Sequence, residues 1–156
     1  MAQPGVDLRT IASAFWATDV GREVSGGSQR VGNFTIDSVD AIEQYANRRF
    51  SAVGCAPPGS SWPWIPPDDN QELILSWGAI VGEVILSLYS EHWETDPASP
   101  SDQHLFRVVI GGGVVAWPIA QVHYRLARGI SHDLSVYVDV VGRVVGRQAV
   151  GGRAWH

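Results

Sequence analysis

The chain has 156 residues, enough for one domain with a substantial core, and its 45% hydrophobic and 17% charged residues describe a globular rather than a disordered protein. The formal net charge of -5, with eleven Arg and no Lys, argues against nucleic acid and toward neutral or basic partners. Cys55 is the only cysteine, which excludes an intramolecular disulfide and a cysteine-based metal site.

Met1 to Asp7 lacks a basic segment followed by an apolar run, so no secretory leader is expected. From Val6 to Val20, Leu8, Ile11, Ala12, Phe15 and Trp16 recur at helical spacing, and Gly21 with Ser25-Gly-Gly-Ser28 breaks the pattern. A second helix is predicted after Asp37 or Ser38 as N-cap, with Val39, Ile42 and Ala46 on one face. Gly54 to Asp69 holds five prolines around Trp62 and Trp64 and reads as a loop carrying an aromatic element.

Leu73 to Tyr89 is the most distinctive segment. Leu73, Trp77, Ile80, Val84 and Leu88 fall at helical spacing, while Ile74, Val81 and Ile85 fill most of the remaining circumference. A helix apolar nearly all round is a buried one, so Glu83 is expected in or beside the core. There a carboxylate has to be paired, hydrogen-bonded or protonated. The segment approaches transmembrane length, but Glu83 near its middle and the acidic flanks at Asp68, Asp69, Glu72 and Glu91 favour a cytoplasmic protein without a membrane span.

A polar segment from Glu94 to Asp102 leads into a predicted strand, Leu105 to Ile110. Gly111-Gly-Gly113 reads as a hairpin turn and Val114 to Trp117 as the returning strand. Pro118 is expected to end or bulge that strand, and Gln121 to Leu126 reads as a third strand or a short extended segment. Ser131 is the predicted cap of a last helix bearing Leu134, Tyr137, Val138 and Val141, with an irregular tail rich in valine and glycine from Val140. The predicted fold is α+β: helices packed around a long buried central helix and a small antiparallel sheet, in a single domain.

Within that frame the segment Gly78-Ala-Ile-Val-Gly-Glu-Val84, followed by Trp93, resembles the recurrent pattern of a group of uncharacterised bacterial domains. The resemblance runs from about Phe34 to Val141 and takes in Ile36 to Ile42, the hairpin, Pro118 to Arg125 and the terminal amphipathic helix. Residues before Phe34 and after Gly142 fall outside it. It implies a small cytoplasmic protein and brings no activity with it. Some relatives look like immunity or interaction proteins, which implies a binding role.

Candidate site residues follow from these segments. Gly78 and Gly82, four apart, mark a face where another backbone approaches, from the hairpin or the first helix. Glu83 is either a structural carboxylate satisfied by Arg125, Arg107 or backbone N–H groups, or a base or ligand contact with a pKa raised by desolvation. Glu91, His92, Glu94 and Asp96 crowd one imidazole with carboxylates but lack metal-ligand spacing, so no metal and no cofactor is expected. His104, His123 and His132 are scattered, and His123 is expected as a packing residue on a strand. Cys55 has no local cation or helix N-terminus to activate it.

Trp62, Trp64 and Trp117 are nominated for a partner surface, unless the proline-rich loop folds back over the central helix. The leading expectation is a non-catalytic protein that binds another protein, of immunity or regulatory type. The alternative is a small-molecule binder or enzyme with a pocket lined by Trp77, Trp93 and Trp117 and anchored by Glu83. Homodimerisation through the Gly78–Gly82 face or the hairpin edge is a third expectation.

Overall fold

The structure, a computed structural model, describes residues 7–50, 71–89, 92–95, 106–110, 113–128 and 133–154. Among them are seven helices: α1 (Leu8–Phe15), α2 (Asp19–Ser25), α3 (Gln29–Gly32), α4 (Ile36–Phe50), α5 (Gln71–Tyr89), α6 (Pro118–Arg128) and α7 (Leu134–Ala154). Three strands, β1 (His92–Glu94), β2 (Arg107–Ile110) and β3 (Val114–Ala116), form an antiparallel sheet in that order. Trp93 pairs with Val108 and Val108 with Ala116, which brings the sheet's buried residues onto one face. The fold is α+β, as the patterning predicts.

The centre of the molecule is α5. Every residue from Trp77 to Ile85 is buried, Glu83 included, while Leu88 at the C-terminal end is exposed. Length and composition would let this helix cross a membrane. Here α1, α4, α6, β2 and α7 pack around it instead. Two glycines set how close those neighbours come. A Cβ at Gly78 would lie 2.5 Å from the Cα of Ile119 on α6, and one at Gly82 would lie 2.0 Å from the Trp93 ring on β1. The atoms nearest these two glycines belong to Ile119 of α6 and Trp93 of β1, where the hairpin or the first helix was the expectation.

The N-terminal region is three helices, not one. Thr18 caps α2 by accepting from Gly21 N at 3.0 Å, and its hydroxyl donates to the Phe15 carbonyl at 2.6 Å. Gly21 does not break a helix but sits inside α2, where a Cβ would fall 1.9 Å from the Phe15 carbonyl oxygen. The α4 helix starts one residue ahead of Asp37. Ser38 acts from within it, accepting from Thr35 N at 3.1 Å and donating to the Val31 carbonyl, so α3 and α4 are tied together.

Three further expectations are corrected. Residues 121–126 are helical. Pro118 occupies the first position of α6, where its fixed φ suits a helix and its missing N–H is no loss. Buried Ile119, Val122 and Leu126 follow the 3.6-residue period, and the apparent alternation of Val122, Tyr124 and Leu126 is coincidental with it. The His92–Glu94 segment, for which the patterning predicts no strand, is the edge strand β1. The last helix is capped by Asp133, whose Oδ1 accepts from Val136 N at 3.0 Å, and it continues to Ala154 without the irregular tail. Val141 is buried and Val144 and Val145 pack on the core, so tertiary contact outweighs the poor helix propensity of valine and glycine.

Replacing Gly78 or Gly82 by Ala is expected to cost about 1–3 kcal/mol by overpacking. The Gly78 change should be the worse of the two, because backbone and not a ring must move. Urea unfolding of the two variants beside the parent chain measures this.

Candidate functional site

Burial brings together two polar clusters, each built around a carboxylate from the core. In the first, Glu83 Oε2 accepts from the Trp93 indole N–H and Oε1 from the Arg9 guanidinium, both at 2.9 Å. The Glu83 side chain is enclosed, whereas that of Arg9 is 69% exposed and forms the outer wall of the site. Arg9 also lies over the Phe34 ring, 5.1 Å from its centroid. Phe34 adopts the left-handed region with φ 55°, unusual for a bulky residue. Its ring is buried and its carbonyl accepts from Ser87 Oγ at 3.4 Å.

Neither Arg125 nor Arg107, the expected partners of Glu83, reaches it. Arg107 lies on β2 and donates to Glu94 at 3.3 Å. Arg125 is the cation of the second cluster. Its Nε donates to Glu43 Oε1 at 2.6 Å and a terminal nitrogen donates to Asn47 Oδ1 at 2.8 Å. The other oxygen of Glu43 accepts from the N–H of Leu134, the first residue of α7, at 2.9 Å. One α4 carboxylate thus pairs α6 and caps α7. Alongside it, Asp40 accepts from the Ser135 hydroxyl at 2.7 Å. Burial pushes the Glu43 carboxyl above its ordinary pKa, against the pull of the Leu134 N–H and Arg125.

Asp40, Glu43 and Asn47 were invisible as a set to motif reading. Their spacing of three and four residues places them on one face of α4, a polar stripe beside the apolar one at Val39, Ile42 and Ala46. That regularity is the signal in the sequence. It tells that the stripe meets polar groups but not which ones.

The three tryptophans of the expected pocket have different neighbours. Trp77 is fully buried and stands edge-on to Tyr45, with ring centroids 5.9 Å apart. Trp93 is committed to Glu83 and Gly82. Trp117 lies at the surface, 41% exposed, where its backbone N–H donates to the Tyr137 hydroxyl at 3.0 Å. Trp62, Trp64 and Cys55 lie outside the described residues, as do Glu91, Asp96, His104 and His132. His123 is on α6 beside Tyr124.

Chemically, both oxygens of Glu83 and both of Glu43 are occupied by donors. Exposed His92 and Glu94, one on each side of Trp93, are 3.1 Å apart, and first that bond and then Arg107 hold the Glu94 carboxyl below its usual pKa. Among the described residues no group of three or more His, Cys, Asp and Glu converges as a metal site. No family model, no curated protein and no solved structure matches the chain.

Arg125→Met is expected to destabilise the fold by about 3–5 kcal/mol, since it strands a buried carboxylate. Arg9→Met should cost less, because Arg9 is largely solvated and Trp93 still serves Glu83. Chemical denaturation of the two variants tests that ranking. A second expectation concerns Tyr137, whose phenol burial pushes up to about 12 from 10.0 despite its bond with the Trp117 N–H. Because the folded pKa is the higher, this contribution to stability is complete below pH 10 and is lost as pH rises toward 12. Ultraviolet titration of the parent and of Tyr137→Phe should show one late-ionising tyrosine absent from the variant.

Proposed function

We propose that this chain is a non-catalytic binding protein of the bacterial cytoplasm that recognises another protein, in an immunity or regulatory role of the kind implied by the resemblance over residues 34–141. The observation that carries the reading is a pair of exposed aromatic side chains, Trp117 immediately before the first residue of α6 and Tyr124 on that helix. They are 41% and 42% exposed. The backbone N–H of Trp117 donates to the Tyr137 hydroxyl, which ties the main chain there to α7, and Tyr124 stands edge-on to His123. Aromatic anchors that lose little freedom on binding are typical centres of protein interfaces.

The formal net charge of -5 favours a neutral or basic protein partner over nucleic acid. The enclosure of α5 within the fold supports a place in the cytoplasm rather than in a bilayer. The alternative, a ligand pocket anchored by Glu83, draws no support from the geometry, because Arg9 and Trp93 already hold that carboxylate.

A photo-crosslinking amino acid placed in the native host at position 117 or 124 provides the test. The same adduct should form at both sites and be absent when the probe replaces Glu23, an exposed residue of α2. Identical adduct patterns at all three positions, or none at 117 and 124, would refute the reading.

A further inference from the structure

The face of α7 turned away from the core carries a pattern that α7 itself does not use. Val136, Asp139, Val140, Arg143 and Gly146 fall within an arc of about 120° at 100° per residue. Among the described residues Val136 is the most exposed of the large apolar side chains, at 58%, and Val140 is exposed as well. Asp139 and Arg143 are exposed and 2.8 Å apart. Gly146 is an open position, since a Cβ there would meet nothing within 4 Å. In a helix interior such a glycine costs stability relative to alanine, and no contact among the described residues requires it.

The spacing 136, 139, 143, 146 is that of successive a and d positions of a heptad. When two such helices lie antiparallel about a two-fold axis, an a position of one meets a d position of the other. Centring the axis at residue 141 sets Asp139 of each copy against Arg143 of the other. The same axis, with no further adjustment, sets Val136 of each copy over Gly146 of the other. Charge complementarity and the match of a protruding valine to a vacant position therefore select one and the same register. We infer that α7 is a self-association surface, on which a second copy of this chain docks antiparallel with crossed Asp139–Arg143 ion pairs. The contact, from Val136 to Gly146, is about 15 Å long. With a helix about 10 Å across, that strip covers on the order of 150 Å², against roughly 800 Å² per partner for a stable interface, so the dimer is weak, concentration-dependent and salt-sensitive. This inference is independent of the Trp117 and Tyr124 surface.

Sedimentation of the full chain over a concentration series tests it. The parent protein should show a monomer–dimer equilibrium that high salt shifts to monomer. Asp139→Arg gives each copy two basic groups on this face and Arg143→Asp gives two acidic ones, so each variant alone should stay monomeric. An equimolar mixture of the two should recover association as a one-to-one heterodimer. Gly146→Gln, whose Cβ would meet nothing within 4 Å among the described residues, should abolish the parent's association while leaving its circular dichroism unchanged. A parent protein that stays monomeric throughout, single variants that still dimerise, a mixture that does not recover, or an unaffected Gly146→Gln dimer would each overturn the proposal.

Discussion

A carboxylate in the middle of an apolar helix can be buried only if donors reach it from elsewhere in the chain, and much of this structure is arranged around that requirement. Glu83 draws Trp93 inward from the edge strand and Arg9 across from α1. The indole can approach because Gly82 leaves room for its ring. Arg9 in turn rests on Phe34, whose unusual backbone is held by its buried ring and by Ser87 of α5 itself. The result ties α1, the α3–α4 connection and β1 to the same stretch of the central helix. A purely apolar residue at this position would leave the indole N–H of Trp93 without its acceptor.

The Glu43 cluster repeats the logic on the other side of α4 and has a different outcome. Arg9 keeps its solvent, but Arg125 and Glu43 are both buried, so each depends on the other to offset desolvation. The second oxygen of Glu43 caps α7 from a helix far away in sequence. With Asp40 on Ser135 and Asn47 on Arg125, a single polar stripe fixes where α6 and α7 settle. Such a stripe specifies arrangement rather than adding much net stability, because sliding α7 along α4 by one turn would leave charged groups buried without partners.

Among the described residues the two buried Glu carboxylates are both engaged by internal donors, and the exposed apolar side chains lie elsewhere. Trp117 and Tyr124 at α6 and the valines of α7 are separate features, one built of exposed rings and the other of a self-complementary charge pattern. We propose different partners for them, a dissimilar protein for the first and another copy of the same chain for the second.

How much of this was legible beforehand depends on the range of the information involved. The sequence by itself determined that residues 73–89 form a buried helix, that Glu83 enters the core with it, and that a hairpin follows, because apolar periodicity and turn residues are local signals. Helix α6 was misread since Val122, Tyr124 and Leu126 satisfy a two-residue alternation as well as a helical one. The length of α7 was underestimated because propensity says nothing of what Val141, Val144 and Val145 pack against. Only the tertiary structure decided the partners of the buried charges. Arg9 lies 74 residues from Glu83, and Leu134 lies 91 from Glu43. No spacing rule spans such separations, and eleven arginines offered many equally plausible matches. Which one is chosen is a matter of where packed helices bring their side chains, and that is settled by the whole core at once.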